Sequence, residues 1–262
     1  MDLSLVIRSG RDEKVLDCIG SVDEDVDIVV STVPDPDFCD LVESTGARTV
    51  TSTPGNLSVV SNIGIDAARY DMVFLTDSDT LLCSGCLEAV RGGLERAPFV
   101  NARIEFAHDG TRASRLVSEA RDFVNSKDLA FTPGLGLDRR AVGLVGGYFF
   151  DEEVPFAVDA NLDYRIRRNG VPVVYDSGAR IVHGTETVEH DMVAARRIGA
   201  GVRAGAGSLA RMYPDTPESR IGHDLKAVHM GDYPRILREK GMGVLLYQMR
   251  WDLNFYLGRF RG

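Results

Sequence analysis

An α/β protein built on a largely parallel sheet is the fold class this sequence predicts, and three observations predict it. Apolar runs alternate with segments of helical spacing, one strand about every 20 residues as far as Asp77. The 262 residues are 44% apolar and 26% charged, the balance of a soluble globular chain, which excludes disorder, collagen and coiled coil as the main architecture. The pattern then changes after residue 190, where Gly-rich helix with aromatic clusters replaces the alternation.

Leu3–Ile7 is an apolar run ending at Arg8-Ser9-Gly10, a strand and its loop. Residues 12–22 carry Val15, Leu16, Ile19 and Val22 at helical spacing. Asp27–Ser31 holds Ile28-Val29-Val30, a second buried strand. Pro34 and Pro36 break the chain before a short helix, Phe38–Glu43, closed by Gly46. Arg48–Thr51 is a third strand, and Leu57–Arg69 a helix with Asn56 placed to cap it. Met72–Leu75 is a fourth strand, ending at Asp77. Helix is predicted at Gly85–Arg96, strand at Phe99–Phe106 and helix at Arg112–Ser126. A loop follows at Thr132–Gly136, then helix Asn161–Arg168 closed by Gly170, and short strands at Val171–Tyr175 and Arg180–Val182. Asp163 and Arg167 stand four apart on that helix, the spacing of an ion pair.

Charge divides the chain. Net charge is −9, which argues against nucleic acid as a partner. Residues 1–190 hold 18 basic and 32 acidic side chains, and residues 191–262 hold 12 and 7, so −14 is followed by +5. The division marks two regions with different jobs, residues 1–190 and a basic, aromatic helical extension at 191–262. Four cysteines are too few for a disulfide scaffold, and the one C-x-x-C, Cys83 and Cys86, lacks the second pair that zinc needs. The pair reads as packing under a helix start. No apolar run approaches the roughly 18 residues of a membrane span, and Asp2 without a cationic stretch argues against a secretory signal. A cytoplasmic protein is expected, with a peripheral position on the inner face of the membrane as the other location open to it.

In open α/β sheets ligands bind beyond the carboxyl ends of the strands. Three such ends are polar here: Arg8-Ser9, Ser31-Thr32 and Asp77-Ser78-Asp79. Neither G-x-G-x-x-G after the first strand nor a P-loop occurs, so dinucleotide and P-loop folds are disfavoured. Asp77 and Asp79 end a buried strand one residue apart. In a turn both can reach one hard divalent cation, Mg²⁺ or Mn²⁺, with open positions left for substrate phosphate oxygens.

From Leu3 to His183 the chain resembles the family 2 glycosyltransferases of the GT-A fold. The residues that carry the resemblance run in order. They are Leu5-Val6-Ile7 with Val15 and Cys18-Ile19, Ser61-Asn62-Ile63-Gly64 with Ala67-Ala68, Asp77-Ser78-Asp79, Arg139-Arg140 with Gly146-Gly147-Tyr148, Asp159-Ala160-Asn161-Leu162 with Arg165, and His183. The resemblance implies a Rossmann-like, mostly parallel mixed sheet flanked by helices, with a C-terminal helical extension. It implies an inverting, metal-dependent transfer of a sugar from a nucleoside-diphosphate donor to a hydroxyl acceptor, whether glycan, lipid-linked or small molecule. Asp79 is then the metal ligand, and Asp77 contacts the metal, its water shell or the ribose. His183 is a third ligand or a phosphate contact, and Asp159 is the general base. Arg8, Ser9, Ser31, Ser78, Arg139, Gly146 and Gly147 are placed at the donor. Val158 and Asn161 stand where the family carries acids, and the usual acid after the second strand is replaced by Ser31-Thr32. The donor nucleotide is therefore open between UDP, GDP and dTDP. A sugar nucleotidyltransferase and a non-catalytic scaffold of the same fold are the alternatives.

In residues 241–262, Tyr247, Trp251 and Phe255 recur every four residues on one helical face. Leu246, Met249, Leu253, Tyr256, Leu257 and Phe260 add apolar surface, with Arg250, Arg259 and Arg261 interleaved. Such a helix either lies on a membrane surface or packs on the catalytic unit or a second subunit.

Overall fold

The computed structural model describes residues 3–125 and 129–261. Eight strands form one sheet in the order β3-β2-β1-β4-β7-β6-β8-β5. Strands β1 (Leu3–Arg8), β2 (Asp27–Thr32), β3 (Arg48–Thr51) and β4 (Met72–Asp77) are mutually parallel and match the four predicted strands. Strand β6 (Phe99–Phe106) runs parallel to β8 (Val173–His183), while β7 (Leu135–Asp138) lies antiparallel between β4 and β6. Strand β5 (Thr80–Leu82) closes the far edge antiparallel to β8.

The first strand is apolar throughout because both its faces are covered. Leu3, Leu5 and Ile7 point into one cluster with Val15, Cys18, Val30, Phe38 and Phe74. Val6 points the other way, with Val29, Val73 and Leu75, toward Ile65, Leu162 and Ile166. The period of two decides which side chain goes where. Helices α1 (Lys14–Gly20), α2 (Pro36–Glu43) and α4 (Cys86–Leu94) cover the first face. Helices α3 (Leu57–Ala67) and α6 (Val158–Arg168) cover the second. Asn56 caps α3 as expected, accepting from the backbone N–H groups of Ser58 and Val59. The Asp163–Arg167 pair forms at 2.7 Å. Cys86 is buried as the first residue of α4, consistent with a packing role.

Several elements differ from the expectations. The two short strands after Gly170 are one strand, β8, which passes through Asp176-Ser177-Gly178 by a shift of register against β6 between Ala102 and Arg103. Part of the expected Pro/Gly loop is strand β7. Gly136 fits there because a Cβ would stand 2.9 Å from Val90 and 3.2 Å from Val100. A 3-10 helix at Arg139–Val145 follows it. Helix α6 begins at Val158, three residues earlier than Asn161. Helix α5 (Arg112–Asn125) agrees with its prediction except for Ser126, which lies outside the described residues.

The C-terminal helices α7 (Val188–Met212), α8 (Glu218–Asp224) and α9 (Tyr233–Arg261, bent at Gly241) stack on α5 and α6. Val117, Ala120 and Phe123 of α5 share a core with Val244 and Tyr247. Tyr164 of α6 shares another with Val202, Leu209 and Phe255. Helices α7 and α9 meet backbone to backbone. A Cβ on Gly199 would stand 2.0 Å from the Phe255 carbonyl oxygen, and one on Gly258 2.0 Å from that of Arg196. This close approach is what the glycines of α7 and α9 permit. Among the described residues no helix is long and apolar enough to cross a membrane.

Candidate active site

The site forms where β1 and β4 end side by side. The connections on either side of β1 run in opposite directions across the sheet, and that leaves a crevice at these strand ends. Their register sets Arg8 beside Asp77, and the Ser78 N–H donates to the Arg8 carbonyl at 2.9 Å. The buried Arg8 guanidinium lies 2.6 Å from the Asp77 carboxylate and donates to the Ser61 hydroxyl of α3 at 3.3 Å. Arg8 thus balances and orients one of the two aspartates.

After Ser78 the chain turns into β5, whose pairing with β8 puts Thr80 opposite His183. The Gly184 N–H donates to the Asp79 carbonyl at 2.8 Å, and a Cβ at 184 would stand 3.1 Å from that oxygen. His183 Nε2 comes to 3.7 Å from Asp79 Oδ1. Phe106 packs on the imidazole with ring centroids 5.4 Å apart. His183 Nδ1 lies 3.0 Å from the Gly184 carbonyl. A carbonyl only accepts, so this contact needs a proton on Nδ1 and turns Nε2 toward Asp79. Ligand atoms of Asp77, Asp79 and His183 all fall within 4.8 Å of one another. Two hard oxygens and an imidazole nitrogen suit Mn²⁺ or Mg²⁺. Burial pushes the Asp79 carboxyl above its ordinary range, with His183 opposing and Asp77 reinforcing the shift. A cation here would relieve that cost.

Asp159 enters from the other side of the crevice, in the first turn of α6. The helix is aimed by Ala157 in the left-handed region at φ 56° and by α7, where a Cβ on Gly201 would stand 2.1 Å from the Phe156 carbonyl oxygen. Burial pushes the Asp159 carboxyl up to about 6, against the Ala160 N–H, the Arg8 charge and the Thr132 N–H. That value lies near neutrality, where a carboxylate works as a general base.

Arg8, Ser9, Asp77, Ser78, Asp79, Asp159 and His183 line one cavity of about 870 Å³. The volume is that of a site for a cofactor-sized ligand. The Ser9 hydroxyl is buried with no partner among the described residues, so it can bond a ligand. The cavity continues past Glu186 and His190, whose side chains pair at 2.5 Å, to Arg197, Lys226, Gln248 and Trp251. Arg197 comes from α7, Lys226 from the loop after α8, and Gln248 and Trp251 from α9; among these four, only Trp251 stands out by its spacing in the sequence. Lys226 is buried 3.0 Å from Asp252 and lies over the Tyr256 ring at 4.6 Å.

Four residues that the resemblance placed at the donor lie elsewhere. Ser31 is fully buried under α3, its hydroxyl donating to the Val60 carbonyl at 2.6 Å. Arg139 sits at the opposite end of β4, paired with Asp71 at 3.2 Å. Gly146 and Gly147 end the 3-10 helix with φ of 95° and 90°, and Gly146 faces Met212. Their neighbourhood is held from below by Arg165, a fully buried side chain that donates to the carbonyls of Val145, Tyr148 and Phe149 and to Asn161 Oδ1. Asn161, standing where the family carries an acid, is therefore a neutral partner of this buried arginine.

No protein-family model matches the chain, and no curated protein is similar to it in sequence. Solved structures are similar in shape. Residues 1–349 of S. aureus TarS share 13% identity over 99% of this chain and 81% of that one, with a TM-score of 0.57. The same fragment in complex with UDP-GlcNAc gives 14%, 99%, 90% and 0.55. Glucosyl-3-phosphoglycerate synthase from Mycobacterium tuberculosis, in complex with Mn²⁺, UDP and phosphoglyceric acid, shares 18% identity over 78% of each chain, with a TM-score of 0.54. The architecture common to these structures and this chain is the GT-A glycosyltransferase fold.

Proposed function

We propose that this chain of the GT-A fold is an inverting, metal-dependent glycosyltransferase that uses a UDP-sugar donor and a hydroxyl acceptor. The observation that carries the reading is the sharing of one cavity by two sets of groups: the Asp77–Asp79–His183 cluster and, apart from it, the carboxyl of Asp159 at the start of α6. The choice of UDP over GDP or dTDP rests on the fold neighbours that hold UDP-GlcNAc or UDP with Mn²⁺.

The chemistry follows from the residues. Asp77, Asp79 and His183 would hold a divalent cation, which would supply positive charge against the departing diphosphate. Asp159 accepts the proton of the acceptor hydroxyl as its oxygen bonds to the anomeric carbon. The bond from that carbon to the diphosphate oxygen breaks on the opposite side, and the nucleoside diphosphate leaves with the electron pair. Arg8 keeps Asp77 oriented and lowers the cost of ionising Asp159.

Thermal-shift measurements with UDP, GDP and dTDP, each with and without Mn²⁺, test the donor site, because stabilisation follows affinity. UDP with Mn²⁺ is expected to raise the melting temperature most, and Asp79→Ala to abolish the Mn²⁺ dependence. Hydrolysis of UDP-sugars then tests the chemistry. If Asp79→Ala and Asp159→Asn both leave donor turnover intact, the catalytic reading is wrong.

A further inference from the structure

The aromatic repeat of the C-terminal tail points inward. Tyr247 and Phe255 are buried, and with Trp251 they line the cavity. The outer face of α9 is a different set: Met242, Leu246, Met249, Leu253, Tyr256 and Phe260, between 38% and 76% exposed. Their spacings alternate four and three residues, so they form one stripe about 27 Å long on the helix. Met, Leu and Phe side chains presented in a continuous row mark an interaction surface rather than ordinary scatter.

Charge decides what the surface fits. Between Met242 and Phe260 the sequence has three charged residues, Arg250, Asp252 and Arg259. Asp252 is 3% exposed, turned inward to Lys226, Gln248 and Tyr233. Arg250 is exposed, and Arg259 is half-buried with one N–H on the Gly222 carbonyl. The exposed Arg196 of α7 donates to Asn254 of α9. Between Met242 and Phe260 every charge that this helix shows to solvent is therefore positive; the exposed carboxylate of α9, Glu239, lies before the bend at Gly241 and is paired with Arg235 and Arg238. A second copy would bring the same arginines together with no solvent-facing carboxylate of residues 242–260 to pair them, and like charges set face to face oppose association. A surface of anionic lipid meets both features at once: apolar side chains enter the acyl boundary, and guanidinium groups meet the headgroups.

We propose that the outer face of α9 docks the protein onto an anionic lipid surface, with the helix lying in the plane of the interface. This surface is independent of the transfer chemistry. The opposite face of the same helix is cavity wall, so docking would hold the cavity about one helix diameter, roughly 10 Å, from the headgroups.

Flotation of the full chain with phosphatidylcholine vesicles, with and without phosphatidylglycerol, tests the proposal. Binding is expected only to the vesicles containing phosphatidylglycerol, and it should weaken as salt rises. The double variant Leu246→Glu/Leu253→Glu should lose binding while its melting temperature stays within a degree or two of the parent, since both side chains are exposed. Arg250→Glu, which reverses one charge, should weaken binding roughly tenfold. The proposal is overturned if neither vesicle binds, or if binding survives the double variant. It is equally overturned if light scattering shows a dimer that the double variant converts to monomer, for then a second copy covers the stripe.

Discussion

Replacing Gly199 and Gly207 by alanine, each alone, asks whether α7 and α9 touch through their backbones. Both glycines lie on α7, and alanine in a helix interior is favoured over glycine by about 0.8–1 kcal/mol. At Gly207 the new methyl meets nothing within 4 Å, so that gain stands and stability rises. At Gly199 the methyl would stand 2.0 Å from the Phe255 carbonyl oxygen, 2.9 Å from its carbonyl carbon and 3.0 Å from the Arg259 nitrogen. None of these is the flexible end of a side chain, so α9 must retreat by about 1.4 Å to reach ordinary contact. Overpacking of this kind costs about 1–3 kcal/mol, and here the shift also loosens Phe255 and Val202 in their shared core. The net expectation is a loss of about 1–2 kcal/mol for Gly199→Ala. In a chain of this size each kcal/mol moves the melting temperature by about 2–4 °C. Melts followed by circular dichroism should show Gly199→Ala lower by several degrees and Gly207→Ala higher by about 2–4 °C. An increase for both variants would refute the backbone contact and the glycine-based account of the tail.

Asp159 gives the pH dependence. Its carboxyl is raised to about 6, and a base must be ionised, so the transfer rate should climb through about pH 6 and level above it. A flat profile across that range would remove Asp159 as the base. The same shift bears on stability: the protonated form is the better buried one, so its contribution is complete below the unfolded carboxyl value and is lost as pH rises through about 6. Asp159→Asn should therefore gain stability relative to the parent at pH 8, by an order of 1–3 kcal/mol, and little at pH 4, while losing transfer. Arg8→Gln removes a cation that favours ionised Asp159, so the acid limb of the rate profile should move to higher pH; an unmoved limb would show that Arg8 does not act on the base. Arg139→Ala should leave donor binding and turnover within about twofold, since Arg139 pairs with Asp71 away from the cavity, and a large loss of UDP stabilisation would contradict that placement.

The parallel half of the sheet was legible because β1 and β4 are buried on both faces, which demands unbroken apolar runs. Asp77 and Asp79 stood out because carboxylates at the end of such a run have no packing reason to be there. Asp159 and His183 were found by their order along the chain, and the structure brings both to the cavity. Strand β5 was not legible: three residues show no period, and Leu81 is exposed. Asp176-Ser177-Gly178 carries turn residues, and only pairing with β6 keeps it extended. Arg139, Gly146 and Gly147 suited the family order, yet an arginine reads alike whether it meets a phosphate or Asp71. The helical period of the tail was clear, but period alone does not say which face turns inward. That orientation is fixed by Gly199 against Phe255 and by Gly258 against Arg196, contacts between residues about sixty apart in the chain.

The Arg8–Asp77 pair has a consequence for how the centre is filled and emptied. A cluster of acids awaiting a cation repels itself, as the effect of Asp77 on Asp79 shows. Here a resident guanidinium already neutralises one carboxylate at 2.6 Å and also acts on Asp159. An incoming cation therefore does not meet a bare acid cluster; it competes with a counter-ion that cannot diffuse away. On the proposed reading, an ion would enter and leave without uncovering an unbalanced pair of carboxylates, because Arg8 stays beside Asp77 throughout.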